Sequence, residues 1–398
     1  MAKIYLIDGM SLVFRAYHVM ESANFRNPAG EPTGTVFGFT NIITSFLEKQ
    51  KPDYISIAFD TQEPTFRHIQ FENYKANRPE FPEDLALQLP KIKQLLDLLG
   101  IPRIEMPGFE ADDIIGTLAK QLSGNDTEVY CLTSDKDFYQ LVDDNIKLIK
   151  PLGRSGEDFE LISYNQVQEK FGVTPDKVID VLAIIGDAVD NVPGVKGIGE
   201  KTAIPLIQQY DSLENLYNNL DKIDKSSVRE KLEQYKDNAF LSKQLVTIDT
   251  NVPVNVKIDD IKRKSINYKE LDEFFKNLAF TRIRSFWQEK ARQENESSLF
   301  TGNNEQDIKP AQKSSTNIII KNNDEFDNLI KKLSSSSTIA FEIIYSSNDR
   351  ENNEIVAMAL ACDNHSAYFI EIPKSENNDK LFENNAKKSN DTNLQLDY

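Results

Sequence analysis

The sequence predicts an α/β domain followed by a largely helical one, and three observations lead to this fold class. Over the first 150 residues, short apolar runs typical of strands alternate with longer runs that have helical spacing. After about residue 160 the patterns are helical only. Strand–helix–strand alternation is characteristic of a parallel sheet. The length of 398 residues fits two or three domains.

The predicted elements follow this alternation along the chain. Strands are expected at Lys3–Ile7, Tyr54–Phe59, Glu128–Thr133 and Ile146–Ile149. Between them, helices are expected at Val36–Leu47 and Leu85–Leu99, and Gly100 stands where a glycine commonly ends a helix. Later helices are expected at Tyr164–Phe171, Pro175–Ile185, Lys201–Tyr210 and Val228–Val246.

Composition indicates the domain boundaries. We expect an α/β lobe over residues 1–160 and a helical lobe over 161–290, which together make one domain. The polar stretch 291–315 is nearly free of aromatic residues and predicts a linker. Residues 316–372 predict a small partial α+β segment, and residues 373–398, which lack periodicity, predict disorder.

Composition also argues against several classes of protein. No apolar run reaches the roughly 18 residues of a membrane span, and the short apolar N-terminus is broken by Asp8, which indicates a strand instead of a signal peptide. Cys131 and Cys362 lie far apart without a Cys-x-x-Cys partner, which favours a cytoplasmic chain without disulfides. The net charge of −17 argues at first against nucleic-acid binding.

Acidic residues gather at the ends of the predicted strands and helices. Three clearly patterned strands end in aspartate, one acidic cluster opens a helix, and one aspartate pair follows a helix. Ligands of open α/β sheets bind beyond the carboxyl ends of the strands, where such side chains meet. The nine acids are Asp8, Asp60, Glu110, Asp112, Asp113, Asp135, Asp137, Asp187 and Asp190.

Taken singly, each acid has a structural explanation as an N-cap or a first-turn residue of a helix. Taken together, converging carboxylates repel one another unless cations neutralise them. Mg²⁺ and Mn²⁺ prefer oxygen ligands, whereas the three scattered histidines argue against a zinc site. A pocket of carboxylates alone indicates two-metal phosphoryl-transfer chemistry.

A glycine-rich segment, residues 191–203, is a candidate phosphate-binding element. Its glycines permit positive φ angles and close backbone approach, and the helix that follows offers free N–H groups to phosphate. Because Glu200 separates Gly199 from Lys201, a nucleotide-binding P-loop is excluded; a purely structural turn is the alternative. The candidate phosphate-backbone contacts are Gly194, Lys196, Gly197, Gly199, Lys201 and Thr202.

Residues 71–78 form a third candidate element. Tyr74 and Arg78 are four residues apart, and thus on one face of a helix, with Lys75 beside them. An aromatic ring next to two cations suits base stacking and phosphate contact. A solvated surface helix is the alternative.

Together these motifs resemble the 5′ nuclease domains of bacterial DNA polymerases, in the flap endonuclease family. The resemblance covers about residues 1–290 and implies a PIN-like lobe with a helical arch, plus a helical lobe containing a helix-hairpin-helix. The matching segments, in family order, are Leu6–Gly9 with Phe14–His18, Ala58–Asp60, Tyr74–Pro79, Gly108–Asp113, Thr133–Asp137 and Gly186–Ala203.

The resemblance also implies residue roles. The nine acids would hold two or three Mg²⁺ or Mn²⁺ ions, with Asp112 and Asp113 among the catalytic residues. Lys75 and Arg78 would contact the scissile phosphate near the start of the arch, which includes Tyr74, and Arg15 would assist. The hairpin would grip the downstream duplex, with a potassium ion on the backbone carbonyls of Val192, Val195 and Ile198.

The sequence departs from the family pattern at two places. Ala188-Val189 replaces a common Ser-Ser pair, and Pro205 lies early in the helix after the hairpin.

Residues 338–344 resemble the first strand of a proofreading 3′–5′ exonuclease domain, but isoleucine stands at the second acidic position, Ile344. We therefore expect a degenerate, truncated exonuclease-like segment, in a fragment or natural truncation of such a polymerase.

The expected function is a Mg²⁺-dependent 5′–3′ exonuclease and flap endonuclease in replication and repair. Its expected partners are DNA with 5′ flaps, nicks or RNA primers, and polymerase modules if the chain is a fragment. No membrane association is expected. We expect a monomer in the bacterial cytoplasm near the nucleoid, and no polymerase activity from this chain alone. Since the proposed metal ligands account for most of the acidity of residues 1–290, we expect weak DNA binding that depends on salt and Mg²⁺. The alternatives are a non-catalytic flap-binding module, a PIN-type ribonuclease, and a fragment active only within a polymerase.

Overall fold

The computed structural model describes residues 2–23, 25–153, 158–300, 316–320, 322–336, 339–345, 355–362 and 366–371. The chain divides into two compact units, residues 1–302 and 303–398. All candidate site residues belong to the first unit.

A six-stranded sheet forms the centre of the first unit. Its strands are β1 (Ala2–Asp8), β2 (Tyr54–Ala58), β3 (Arg103–Ile104), β4 (Thr127–Leu132), β5 (Ile146–Leu152) and β6 (Asp158–Ile162). They are arranged in the order β3-β2-β1-β4-β5-β6, and only the edge strand β6 runs antiparallel. The strand order reverses between β1 and β4, which is where open α/β sheets place their ligands.

Helices cover both faces of this sheet. Those associated with the strands are α1 (Gly9–Met20), α2 (Gly34–Gln50), α3 (Phe66–Gln70), α4 (Glu83–Leu98) and α5 (Ala111–Leu122). Those that follow are α6 (Tyr164–Phe171), α7 (Pro175–Ile185), α8 (Glu200–Tyr210), α9 (Leu213–Asn218), α10 (Ser226–Gln234), α11 (Lys236–Val246), α12 (Tyr268–Asn277) and α13 (Thr281–Phe300). Among the described residues, no helix is long and apolar enough to cross a membrane.

Alternation along β1 divides the hydrophobic core into two layers. Tyr5 and Ile7 pack with residues of α1, α2, α4 and α12 on one face. Ile4 and Leu6 pack with α5 and with the later helices α7 and α11 on the other. Successive side chains of a strand point to opposite faces, which explains this division. The helical lobe therefore shares its core with the sheet.

The structure confirms the predicted strands and most of the predicted helices, with three differences. The predicted helix 228–246 breaks at Tyr235 into α10 and α11, because apolar spacing continues across the break and does not reveal it. The antiparallel strand β6 was not expected. Helix α13 extends to Phe300, so residues 291–300 of the predicted linker are helical; a polar composition rich in Glu, Gln and Arg is compatible with a helix.

The second unit is a small α+β structure, as expected. It consists of β7 (Thr316–Ile320), α14 (Asn323–Ser334), β8 (Ala340–Tyr345), β9 (Ile355–Ala361) and β10 (Ser366–Glu371), with the sheet order β7-β10-β9-β8. Helix α14 buries Leu329 and Leu333 against Tyr368 of β10. The predicted disordered segment, residues 373–398, lies outside the described residues.

Candidate active site

Asp8 ends β1 at the centre of the sheet and caps the helix that follows. Its Oδ1 accepts a hydrogen bond from the backbone N–H of Ser11 at 2.9 Å, and its Oδ2 accepts one from the hydroxyl of Thr133 at 2.9 Å. Burial, with the nearby charges of Asp60 and Asp135, raises the pKa of Asp8 to about 7. The carboxyl group therefore resists ionisation unless a cation compensates for it.

Asp112, in the first turn of α5, is surrounded by four other acids. Burial and the charges of these four neighbours hold the pKa of Asp112 well above its ordinary value. Asp60 accepts a hydrogen bond from the backbone N–H of Ala111 at 2.9 Å, and desolvation and the Glu110 charge raise its pKa. The carboxyl ends of β1, β2 and β4 and the start of α5 thus bring together a first acidic group. Its members are Asp8, Asp60, Glu110, Asp112 and Asp135.

A second acidic group adjoins the first. Desolvation and the charges of Asp135, Asp187 and Asp190 hold the pKa of Asp137 well above its ordinary value. The pKa of Asp135 is raised by desolvation and by Asp190 and Asp187. The ammonium group of Lys136 lies 3.5 Å from Oδ2 of Asp187. Because Asp135 belongs to both groups, the two are contiguous.

Glu110 differs from the other acids because cations and a phenol surround it. Lys75 donates to Oε1 at 2.8 Å and the Tyr74 hydroxyl donates to Oε2 at 3.2 Å, while Nη1 of Arg67 lies 3.4 Å from Oε2. Burial alone would raise the pKa of Glu110, but Lys75 and Arg67 lower it below the ordinary value. Glu110 is therefore the member of this group whose pKa is lowered, whereas the pKa values of Asp8, Asp60, Asp112 and Asp135 are raised.

The loop 186–194 carries Asp187 and Asp190, and two glycines give it its shape. Gly186 and Gly194 have φ angles of +73° and +58°. A Cβ atom on Gly194 would lie 2.6 Å from the backbone N of Gly186, so only glycine fits this close approach. The N–H of Gly194 donates to the buried Ser242 hydroxyl at 2.8 Å. Gly194 therefore packs inside the acid-bearing loop, against Gly186 and Ser242. Its predicted role as a DNA contact was wrong, because the residue is buried.

The rest of the glycine-rich segment is open to solvent. Lys196, Gly197, Gly199 and Lys201 are exposed at the start of α8, and Thr202 is half-buried. For these residues, the predicted DNA contact stays a prediction.

Of the three backbone carbonyls predicted to hold potassium, two already accept hydrogen bonds. The Val192 carbonyl accepts one from Asp187 at 3.0 Å, and the Val195 carbonyl accepts one from Ile198 at 3.0 Å. Each carbonyl oxygen has a second lone pair, so the potassium prediction, which includes the Ile198 carbonyl, stays open.

The segment 71–79 is not the helix that four-residue spacing predicted. It forms successive turns, and Lys75 has a φ of +59°, outside the helical region. Tyr74 is 5% exposed and its hydroxyl faces Glu110, so the ring is not free to stack on a base. The segment is fixed instead by hydrogen bonds to the acid-bearing loop, including Lys75 N–H to the Asp190 carbonyl at 2.9 Å. Spacing alone cannot detect such long-range contacts.

Arg78 contacts the acid-bearing loop, whereas Arg15 contacts the residue that follows β5. Arg78 donates to Oδ1 of Asp190 through Nε at 2.8 Å and through Nη2 at 2.6 Å. Arg15 lies on α1, and its Nη2 donates to the carbonyl of Gly153. Lys75 and Arg78 thus form salt bridges with Glu110 and Asp190, two of the predicted metal ligands.

Asp113 is the one predicted metal ligand that the structure turns away from the site. Its carboxylate is fully buried and pairs with both terminal nitrogens of Arg67, at 2.7 and 2.8 Å. Two backbone N–H groups, those of Asp249 at 2.8 Å and Glu110 at 3.3 Å, also donate to this carboxylate. Asp112 and Asp113 are adjacent in sequence but about 100° apart around the helix, so they face different surroundings.

Two residues of the site, Arg67 and Lys136, were not among the predicted site residues. Arg67 lies in the five-residue helix α3, 46 positions before its partner Asp113. Lys136 lies between Asp135 and Asp137 and could have been found as the cation within that acidic motif.

The donor set fits a hard divalent cation, although it is not preassembled as a cage. Among the described residues, no three His, Cys, Asp or Glu side chains already stand at metal-coordinating positions. Lys75, Arg78 and Lys136 instead pair with three of the candidate ligands. Several crowded carboxyl groups with raised pKa values nevertheless form an oxygen-only site whose mutual repulsion a divalent cation would relieve.

Two sequence models of one family match the chain in succession. The N-terminal resolvase-like domain of 5′-3′ exonucleases matches residues 3–172, and the C-terminal SAM fold of 5′-3′ exonucleases matches residues 173–281. All candidate site residues fall within these two matches.

Curated relatives are DNA polymerase I proteins. The chain is 43% identical over 284 residues to DNA polymerase I of Caldicellulosiruptor bescii, covering 71% of this chain and 33% of that protein. It is 40% identical over 299 residues to that of Bacillus subtilis, covering 75% and 34%. For Pseudomonas aeruginosa DNA polymerase I the identity is 36% over 382 residues, covering 94% and 40%. The chain therefore spans about a third of the length of the first relatives it matches.

Solved structures with the same fold include two phage nucleases. One is T5 5′-exonuclease with bound divalent metal ions (zinc), at 23% identity and a TM-score of 0.51, covering 70% of this chain and 98% of that one. The other is a bacteriophage T5 flap endonuclease pseudo-enzyme-product complex with DNA and metal ions, at 20% identity and a TM-score of 0.50, covering 71% and 99%. At these identities the likeness shows the fold.

Proposed function

Because this chain belongs to the 5′-3′ exonuclease family, we propose that residues 3–281 form a divalent-metal-dependent nuclease that cleaves 5′ ends and 5′ flaps of DNA. One observation carries the proposal: acids from three strand ends, the start of α5 and the loop 186–194 converge at the switch point of the sheet, where they raise one another's pKa values. Such a site suits phosphodiester hydrolysis assisted by two metal ions.

The carboxylates would hold the metal ions. The proposed ligands are Asp8, Asp60, Glu110, Asp112, Asp135, Asp137, Asp187 and Asp190. Two or three Mg²⁺ or Mn²⁺ ions bound there would supply a nucleophilic water and stabilise negative charge on the phosphate. The T5 nucleases of the same fold, with their bound divalent ions and DNA, support this proposal.

Lys75 and Arg78 would bind the phosphate whose ester bond is cleaved. Each cation already lies at a proposed ligand, Lys75 at Glu110 and Arg78 at Asp190, so each is within reach of a phosphate held at the same place. Both are fixed by the turn segment 71–79, which lowers the entropy lost when they engage substrate. They would offset the charge that develops on the phosphate oxygens in the transition state.

DNA would approach across the exposed surface at the start of α8 and past Arg15. Lys196 and Lys201 are exposed beside the N-terminus of α8, and the positive end of a helix dipole attracts phosphate. We propose that the substrates include nicked duplexes and RNA primers. We also propose that the protein acts as a monomer and that the domain works beside polymerase modules. Sequence similarity to Pseudomonas aeruginosa DNA polymerase I over 94% of the chain supports a polymerase origin for the second unit also.

The test is cleavage of a duplex with a fluorescent 5′ flap. We expect Mg²⁺-dependent products that excess EDTA abolishes, and a loss of kcat of at least about 10³-fold in Asp112→Asn and in Asp135→Asn. Asp97→Asn, at a surface ion pair with Arg103, serves as the control with unchanged activity. Full cleavage by the Asp112→Asn protein, or by wild type in EDTA, would contradict the proposal.

A further inference from the structure

Arg67 is a buried cation that the proposed reaction does not use. It is 2% exposed, and its guanidinium group contacts two separate parts of the chain, the start of α5 and residues 245–247. Nε and Nη2 donate to the carbonyls of Leu245 and Thr247, both at 2.8 Å, and the two terminal nitrogens hold Asp113. Although burial opposes it, the hydrogen-bonded Asp113 carboxylate raises the pKa of Arg67, so the charge is permanent.

The partners of Asp113 use all the hydrogen-bonding capacity of its carboxylate. Besides two N–H groups of Arg67, its oxygens accept the backbone N–H of Asp249 at 2.8 Å and of Glu110 at 3.3 Å. A carboxylate offers about four acceptor positions, and four donors occupy them here. No position is left for a metal ion.

We propose that Arg67 and Asp113 are positioning residues of the metal site, and that Asp113 is not a ligand. This inference rests on the proposed function, since the site it supports is the proposed metal site. The pair joins the first turn of α5, which carries Glu110 and Asp112, to the chain that follows α11. Removing Arg67 leaves the buried Asp113 charge without a cationic partner, and removing Asp113 leaves Arg67 with only the longer contact to Glu110 at 3.4 Å. Either loss is strongly unfavourable.

The same stretch of chain, residues 242–249, also supports the other acid-bearing elements. Gln140, in the 3₁₀ helix that begins after Asp135, donates to the Val246 carbonyl at 2.9 Å and accepts from the Ile248 N–H at 3.0 Å. Ser242 holds Gly194 of the loop that carries Asp187 and Asp190. The segment 242–249 therefore fixes three acid-bearing elements relative to one another. The Arg67–Asp113 pair links it to the start of α5, and Thr117, further along α5, donates to the Asp249 carbonyl at 3.2 Å.

The consequence is that metal affinity depends on a pair that does not touch the metal. Ligand carboxylates must stand at defined separations for a divalent ion, and residues behind them set those separations. Loss of the pair should let the start of α5 shift relative to β1 and β4. Replacing both charges together by apolar side chains should restore much of the packing, because no charge is left unpaired.

The experiment measures Mn²⁺ binding by calorimetry, with thermal unfolding and flap cleavage as further readouts. The variants are Asp112→Asn, Asp113→Leu, Arg67→Met and the double variant Arg67→Met/Asp113→Leu. Arg103→Met, which breaks an exposed bidentate pair with Asp97 (2.9 and 3.0 Å), is the matched control.

We expect Asp112→Asn to weaken Mn²⁺ binding at least tenfold with little loss of thermal stability. Each single variant of the pair should lose both stability and Mn²⁺ affinity, and the double variant should recover most of both. In Arg67→Met, kcat should fall while KM for the flap duplex stays within about threefold. Arg103→Met should match wild type in Mn²⁺ affinity.

A double variant that recovers wild-type thermal stability but binds Mn²⁺ at least tenfold more weakly than wild type would show that Asp113 is a ligand and overturn the inference. Because the double variant leaves no buried charge unpaired, it decides the question even where a single variant fails to fold. Wild type that binds Mn²⁺ without cleaving flaps would refute the proposed function but not this inference. Wild type that binds no Mn²⁺ would overturn both.

Discussion

The ammonium group of Lys75 lies 2.8 Å from Oε1 of Glu110, so a proposed phosphate-binding cation contacts a proposed metal ligand. Arg78 has the same relationship to Asp190. The cations and the carboxylates therefore form one site in which positive side chains stand at the edges of an acidic centre.

Replacing Lys75 by methionine tests its role at the phosphate. We expect kcat for flap cleavage to fall about 10²–10³-fold, since a preorganised charge near the developing phosphate charge contributes on that scale. Glu110 keeps its contacts with Tyr74 and Arg67, so Mg²⁺ affinity should change by only a few-fold.

The control for this substitution is Lys93→Met, which removes an ammonium group paired with Glu105 at 2.9 Å and not with any of the proposed ligands. Single-turnover cleavage at saturating Mg²⁺ measures the effect. An unchanged rate in Lys75→Met would show that this lysine only neutralises Glu110.

The phenol of Tyr74 is predicted to support Glu110 instead of stacking on DNA. Tyr74→Phe keeps the ring but removes the hydrogen bond to Glu110, and a bond to a charged acceptor contributes about 1.5–3 kcal/mol. We expect the free energy of unfolding to drop by about that amount and flap affinity to stay unchanged. Urea denaturation and fluorescence anisotropy check the two results, with the exposed Tyr164→Phe as control; a stability equal to wild type would favour a stacking role.

The raised pKa of Asp8 predicts an unusual pH dependence in the presence of EDTA. Between its ordinary pKa of 3.8 and its folded value of about 7, Asp8 keeps its proton in the folded state and loses it in the unfolded state. The folded state then binds more protons, so the free energy of unfolding falls as pH rises through this window. At about 1.4 kcal/mol per pKa unit, the fall from Asp8 is up to about 4 kcal/mol.

Urea denaturation from pH 4.5 to 7.5 measures this slope, and Asp8→Asn should flatten it. Metal binding requires the ionised carboxylate, so the apparent affinity for Mg²⁺ should rise over the same window. Parallel slopes for wild type and Asp8→Asn would contradict the assignment.

Two glycines of one segment should respond differently to alanine. Gly194 has a φ of +58° and no room for a Cβ, so Gly194→Ala should destabilise the fold by at least about 1–3 kcal/mol. It should also weaken Mn²⁺ binding, because it deforms the loop that carries Asp187 and Asp190. A methyl group on Gly199 would meet no atom within 4 Å, so Gly199→Ala should change stability by less than about 0.5 kcal/mol.

Thermal unfolding and Mn²⁺ calorimetry on the two alanine variants give the comparison. A Gly194→Ala protein as stable as Gly199→Ala would mean that the loop adapts to a side chain. Reduced DNA binding in Gly199→Ala, without loss of stability, would instead support the predicted DNA surface at the start of α8.

Much of the site could be predicted from local sequence because its elements are local. Strand ends at Asp8 and Asp60 follow from compact apolar runs, and the carboxyl ends of parallel strands necessarily share one edge of the sheet. The same rule placed Asp135 and Asp137 beside them. Helices α6 and α7 begin and end at the residues expected from apolar spacing and terminal Gly and Pro signals.

Local patterns in the sequence were therefore enough to predict the kind of fold and the set of acids available to bind metal. Which acid faces the site depends on contacts between distant segments. Asp112 faces the other acids, while Asp113 faces Arg67 and the backbone of Asp249, 136 positions away. The same kind of contact buries Tyr74 and packs Gly194 closely against Gly186. The reason is that periodicity shows which residues share a face, but contacts between distant segments decide what that face meets.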